Sequence, residues 1–446
     1  MLQGKGCLSR AVRFFFLSAV LTAGFSGLAL GRLAARGAAA AETAKLVVFT
    51  GAAEPSQLPA QEKVRDAFEK AHPGVKVQLL PVPWPWLTKF SAMLAAGTPP
   101  DLVVPGPTTE FLDQGVWLNV DPLVARDKVD ISRYFEPIWK YASQLGIRYG
   151  MPVSMYTDAV FYNKDLLDAA GLIAPPHTYA DSSWTWERYV EYARKITKDT
   201  NGDGVPEIWG MDGLGNTYTM LQSFDAYPFS QDMRTVRFDT PAMVKGFELL
   251  QRVYKEHLTP TYAERVAQNL GGVGFTTGKV GMLIDFTARY RSLLPIKNLS
   301  WDLAAKPRGP AGPRVLLYTD TINIVKGAGN TELAWEYAKF VTSPAMLPEF
   351  SLNGLKAIPP TPEGTSLFIK AMEQQKPDVD WMVFIRGVPY SNPPNPWHPA
   401  YQQVNDLVSA VQTKIAEQQV DIRPALKSLT EQAQVLVDEY WAKRKS

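Results

Sequence analysis

The strongest constraint on the fold is an alternation of periods between residues 45 and 104. Lys45 to Thr50 is a short β-type run, apolar through its centre. From Gln61 to Ala71 the spacing becomes helical, with Val64, Ala67, Phe68 and Ala71 on one face, and His72-Pro73-Gly74 stops it. Val75, Val77 and Leu79 then alternate as a strand. Thr88 to Ala96 is helical again, closed by Gly97, and Asp101 to Val104 is another short strand. A β-α-β-α-β order predicts a parallel sheet with helices on both faces. In such sheets ligands bind beyond the carboxyl ends of the strands. Those ends are Thr50-Gly51-Ala52, Pro81 to Trp84, and Pro105 to Pro107.

With 446 residues the chain is too long for one compact core. The first 41 residues read as a secretory signal. Lys5, Arg10 and Arg13 precede the uncharged apolar run Phe14 to Leu30, and Ala38-Ala39-Ala40-Ala41 offers a cleavage site. The competing reading is an uncleaved membrane anchor, for which the run is short. Cleavage would remove Cys7, the only cysteine, so the mature chain could hold neither a disulfide nor a catalytic thiol. It would also remove five of the 46 basic residues and none of the 44 acidic ones, leaving a net charge of −3. Nothing in that balance points to nucleic acid. The expected location is periplasmic or extracellular.

Further along, Trp186 to Ile196, Met243 to Glu256 and Thr331 to Val341 have helical spacing, and Val280 to Ile284 and Thr321 to Val325 read as strands. Two amphipathic helices, about Ala400 to Glu417 and Arg423 to Trp441, end the chain. Pro-rich patches at 81–85, 305–313, 359–362 and 389–399 read as loops or crossings between lobes.

A series of short motifs resembles bacterial extracellular solute-binding proteins of ABC importers, in the sugar- and maltose-binding branch. Ala95-Ala96-Gly97-Thr98-Pro99-Pro100-Asp101-Leu102-Val103 is similar to that family's helix-to-strand join. Tyr149-Gly150-Met151-Pro152 and Val160-Phe161-Tyr162-Asn163-Lys164-Asp165-Leu166 resemble its crossing segment. Ala170-Gly171-Leu172, Trp184-Thr185-Trp186-Glu187, Phe275 to Met282 and Glu332 to Ser343 follow in the family's order. The resemblance implies an α/β, two-lobed periplasmic-binding-protein fold (type II) that closes on a ligand held between the lobes. The crossings suggest one lobe from 42–157 plus 321–372, the other from 158–320 plus 373–446. The implied partners are a sugar and the membrane subunits of an ABC permease, with no nucleic acid and a monomeric chain. No cofactor is required.

A sugar offers hydroxyls at its edge and apolar C–H faces, so its site needs aromatic plates and in-plane hydrogen-bonding groups. Trp84, between two prolines at a strand end, and Trp397, in the rigid loop Asn395 to Pro399, are the candidate plates. Tyr156 and Asp158 lie on the crossing segment, and Tyr318 and Asp320 on the return crossing. Glu54 and Tyr218 are candidates from loop position. Asp285 and Arg289 follow a strand end, where Phe286-Thr287-Ala288-Arg289-Tyr290 departs from the glycine and tryptophan common in the family. Arg289 either grips an anion by its planar fork or pairs with Asp285. Trp186 reads as a packing residue.

Asp199, Asn201 and Asp203 stand at positions 1, 3 and 5 of a calcium-type loop, with Val205 at 7 and Glu207 at 9. The twelfth position is Gly210, not the usual Glu. A structural calcium ion and a metal-free Asx-rich turn are both open readings.

Two rival functions share these features. One keeps the fold but binds glycerol phosphate or another anionic polyol, with Arg289 and Arg386 as candidate grips. The other is a secreted carbohydrate-active enzyme. No nucleophile elbow, zinc motif or phosphate-cradling glycine loop is present, and the four histidines, His72, His177, His257 and His398, are scattered.

Overall fold

The computed structural model describes residues 44–51, 53–106, 111, 114–144, 146–214, 220–271, 274–391, 398 and 400–443. The proposed signal segment, Tyr218 and Trp397 lie outside the described residues. Among the described residues no helix is long and apolar enough to cross a membrane.

The alternation of strand and helix expected between residues 45 and 104 is present. Strands Ala44–Gly51, Val75–Val82 and Leu102–Gly106 alternate with helices Leu58–Ala71 and Leu87–Ala95. The first strand lies between the other two and pairs in parallel with both. The sheet is completed by Thr321–Ile324 and Met151–Pro152, both antiparallel, so it is mixed rather than wholly parallel. Alternation sends Leu46 and Val48 to one face and Phe49 to the other, and a buried cluster fills each side.

The second sheet runs Trp301–Ala304, Tyr156–Asn163, Val280–Phe286, Trp209–Asp212, with Leu317–Tyr318 paired to the start of its long strand. Every residue from Tyr156 to Asn163 is buried, because helices cover both faces. Val160 and Tyr162 face a cluster built from helices Trp186–Ile196, Pro241–Lys255 and the C-terminal pair Tyr401–Ala416 and Ile422–Ala442. Ala159 and Phe161 face the other, with Trp301, Phe368 and Trp381. Thr185 and Thr240 cap two of these helices by accepting from the Arg188 and Met243 amides.

The helix Pro362–Gln375 belongs with this second sheet. Its Phe368 ring meets Tyr290 and Trp381 edge-on at 5.7 and 6.2 Å. Phe368 and Met372 supply apolar surface to the buried cluster on that face of the second sheet. Trp186 is buried, and its indole donates to Ser223 Oγ at 2.6 Å, a packing role.

Candidate functional site

Three passes of the chain run side by side between the sheets. Val153 N donates to Asp320 O at 2.9 Å, and Asp320 N donates to Ser154 Oγ at 2.8 Å. Met155 N donates to Ile358 O at 2.7 Å, which brings the third pass alongside the first. These bonds satisfy backbone groups that would otherwise be buried without partners.

A cavity of about 240 Å³ opens against these passes. Gly51, Val104 and Pro105 bring the carboxyl ends of two first-sheet strands to it, as expected for an open α/β sheet. Gly51 has to be glycine here, since a Cβ would stand 2.6 Å from the buried Trp86 ring. Tyr156, Tyr318 and Asp320 come from the crossings, Gln57 and Gln61 from the start of the first helix, and Ala288 and Arg291 from the second lobe.

Tyr156 and Tyr318 stack on each other, centroids 4.7 Å apart and planes 19° apart, because their residues are register partners. Phe286 meets Tyr318 edge-on at 5.1 Å. Burial pushes the Asp320 carboxyl above the usual carboxylate range, while hydrogen bonds from Tyr156 and Ser154 and the charge of Arg291 pull the other way. Arg291 Nε donates to Lys356 O at 2.7 Å and Nη2 to Leu355 O at 2.9 Å. Gln61 Nε2 donates to Gly354 O at 2.8 Å, but its buried Oε1 meets no hydrogen-bond partner among the described residues. A buried acceptor without a donor is costly, and a bound hydroxyl would supply one.

Tyr156, Tyr318 and Asp320 thus come together at one cavity. Asp158 does not. Side chains alternate along the strand, so two residues after Tyr156 the carboxylate turns into the protein, where Lys306 Nζ meets it at 2.6 Å and Leu316 N donates to it at 2.9 Å. Arg289 Nε is bound to Asp285 Oδ2 at 2.6 Å, and neither residue lines the cavity. A short helical turn at Thr287–Arg289 swings Arg289 away and brings Arg291 in. Arg386 Nη1 is likewise bound to Asp380 at 2.6 Å. Glu54 is exposed and caps the turn that carries Gln57, its amide donating to Gln57 Oε1 at 2.9 Å. Trp84 is 71% exposed just beyond a strand's carboxyl end and is not among the cavity walls. Gln57, Gln61 and Arg291 were not singled out from sequence. The sequence spacing puts the start of the first helix at Gln61, whereas it begins at Leu58, which sets both glutamines at the carboxyl edge of the sheet.

The acidic loop is ordered by its own hydrogen bonds. Asp199 accepts from the Gly202 and Gly204 amides at 2.7 and 2.8 Å, and Asp203 accepts from Val205 N at 2.8 Å. Glu207 folds back to accept from Thr200 N at 2.6 Å. Carboxylate oxygens of Asp199, Asp203 and Glu207 lie within 4.8 Å of one another. Gly210 offers no side-chain ligand at the twelfth position, and it lies in a strand where a Cβ would run into the Ala193 backbone.

The geometry agrees with comparisons to known proteins. A putative binding protein of Brucella abortus is 29% identical over 348 residues, spanning 75% of this chain and 79% of its own. The sugar-binding protein MalE of Xanthomonas citri superposes with a TM-score of 0.73 at 18% identity, covering 90% of this chain and 100% of that one. An ABC substrate-binding protein of Listeria monocytogenes, solved with cycloalternan, gives 0.72 at 19%, covering 90% and 99%. Both share the two-lobed α/β fold. Residues 52–347 match the family model for bacterial extracellular solute-binding proteins, and the chain belongs to that family.

Proposed function

We propose that the chain is the solute receptor of an ABC importer, that it works outside the cytoplasm as a monomer, and that its solute is a neutral sugar or oligosaccharide held between the lobes. The observation that carries this reading is the polar make-up of the cavity. Arg291 spends its Nε and one Nη2 donor on backbone carbonyls, and its charge already acts on the buried Asp320, so the cavity's cation is largely compensated within the protein. Arg289 and Arg386 are paired with Asp285 and Asp380. Tyrosine hydroxyls, glutamine amides and one carboxyl are suited to sugar hydroxyls. Structural relatives are described as sugar-binding or were solved with cycloalternan, which supports the same class. The chain acts by binding and release. Glycoside hydrolysis uses two facing carboxyls, and Asp320 is the one carboxyl among the cavity's described walls.

A thermal-shift series over sugars and the matching sugar phosphates tests the reading. A ligand at 100 times its dissociation constant adds about 2.7 kcal/mol. Stabilisation by sugars and not by their phosphates is expected; the reverse order would reject a neutral ligand.

The loop at 199–207 is proposed to hold a structural calcium ion through Asp199, Asn201, Asp203, Glu207 and the Val205 carbonyl. The closeness of three carboxylates supports this, since uncompensated charges so near repel.

A further inference from the structure

The third pass between the lobes presents three successive carbonyls, and each is held by a side chain. From the first lobe, Gln61 Nε2 donates to Gly354 O at 2.8 Å and Gln57 Nε2 to Leu355 O at 3.3 Å. From the second, Arg291 donates to Leu355 O at 2.9 Å and to Lys356 O at 2.7 Å, and the Tyr290 hydroxyl donates to Lys356 O at 3.1 Å. The Leu355 carbonyl is therefore an acceptor shared by both lobes.

The backbone at this point is held in uncommon conformations. Phe350–Gly354 winds as a π-helix, and Lys356 has φ of 52°, the left-handed region that favours glycine. Such a conformation persists where its surroundings enforce it, and it concentrates at functional sites. Gln57, Gln61, Arg291 and Leu355 all also line the cavity.

We infer that Arg291 is a positioning residue that couples an occupied cavity to the setting of this third pass, which then acts as a hinge, with Gln57 and Gln61 as its counterparts on the first lobe. The inference rests on the sugar-binding reading above. A guanidinium fixed by two carbonyls cannot turn toward a ligand without moving them, because its donors share one plane. A sugar hydroxyl that engages Arg291 shifts its grips on Leu355 and Lys356, and one that donates to the open Gln61 Oε1 shifts the grip on Gly354 next to them. Binding and hinge movement become one event, with the energy of the ligand contacts setting the closed population.

The test is X-ray scattering of the full exported chain, titrated with maltose, mannobiose and cycloalternan, on wild type, Arg291→Lys, Gln61→Leu and Lys356→Gly. Circular dichroism checks that each is folded. Lys356→Gly removes no cavity side chain and fits the left-handed backbone freely, so it carries the test if a cavity variant does not fold. The wild type is expected to contract on saturation. Arg291→Lys and Gln61→Leu are expected to bind about ten- to a hundred-fold more weakly and, even when saturated, to contract less; Lys356→Gly also contracts less. Variants that contract fully once saturated are ordinary ligand contacts, and that result overturns the inference alone. A wild type that binds none of these sugars rejects the sugar reading, and the inference with it.

Discussion

Lys306 Nζ and Asp158 Oδ2 are 2.6 Å apart with both side chains closed off from solvent. Burial pushes the carboxyl up and the ammonium down, so each group depends on the other to stay charged. Removing one partner strands a buried charge, so Lys306→Met should cost about 3–5 kcal/mol in chemical denaturation, while the double variant Asp158→Leu/Lys306→Met recovers most of it. Equal losses in both would show that the pair contributes through packing alone. His177 is the pH-sensitive residue. Its ring nitrogens lie 3.1 Å from Asp302 and 3.1 Å from Asp380. Its hydrogen bond to Asp302 raises its pKa above 6.5 against the effect of burial. Tyr162 also donates to Asp302, and Arg386 to Asp380. A raised histidine pKa adds stability that is complete below the unfolded value and fades as pH rises through the folded one. The destabilisation caused by His177→Gln should therefore be largest near pH 5 to 6, about where Asp302, held low, is still ionised, and should shrink above neutrality. A difference that grows with pH would contradict the assignment. No periodicity marks either pair: Asp158 and Lys306 stand 148 positions apart, and their meeting depends on how the second sheet closes.

Among elements, legibility followed local signal. The helix Trp186–Ile196 and the helix Thr331–Val341 carry caps and an unbroken apolar stripe, and their ends were readable from those. The strand Tyr156–Asn163 is buried on both faces, so it has no alternation to read and was recognisable only through its resemblance to a crossing segment. The helix Pro362–Gln375 was missed because it begins with Pro-rich sequence and its stripe is thin, with Phe368 and Met372 as its large buried residues. The acidic loop after the Trp186–Ile196 helix was legible as a pattern, and its carboxylates do converge. Calcium added to chelator-treated protein should raise its melting temperature, by an amount that grows with calcium concentration. Asp203→Asn should flatten that response. A melting temperature indifferent to calcium would leave the loop as a hydrogen-bonded turn.

For the whole molecule, the order of motifs carried the architecture further than any single one. Two sheets, three passes between them and a cavity against the passes all follow from where the chain crosses. What escaped was which side chains the crossings bring together, since Arg291 rather than Arg289 enters the cavity through a single turn of irregular helix. If the cavity is the binding site, Tyr318→Ala should weaken sugar binding by about tenfold or more, through loss of an aromatic wall and its hydroxyl. Trp84→Ala, outside the walls, should leave it within about threefold. Calorimetric titration of the chain with a neutral sugar and with its phosphate tests the central claim most directly. The account predicts saturable binding of one sugar per chain, little dependence on salt, and recovery of the sugar unchanged. Tight binding of the phosphate without the parent sugar, or conversion of the sugar to product, would contradict it.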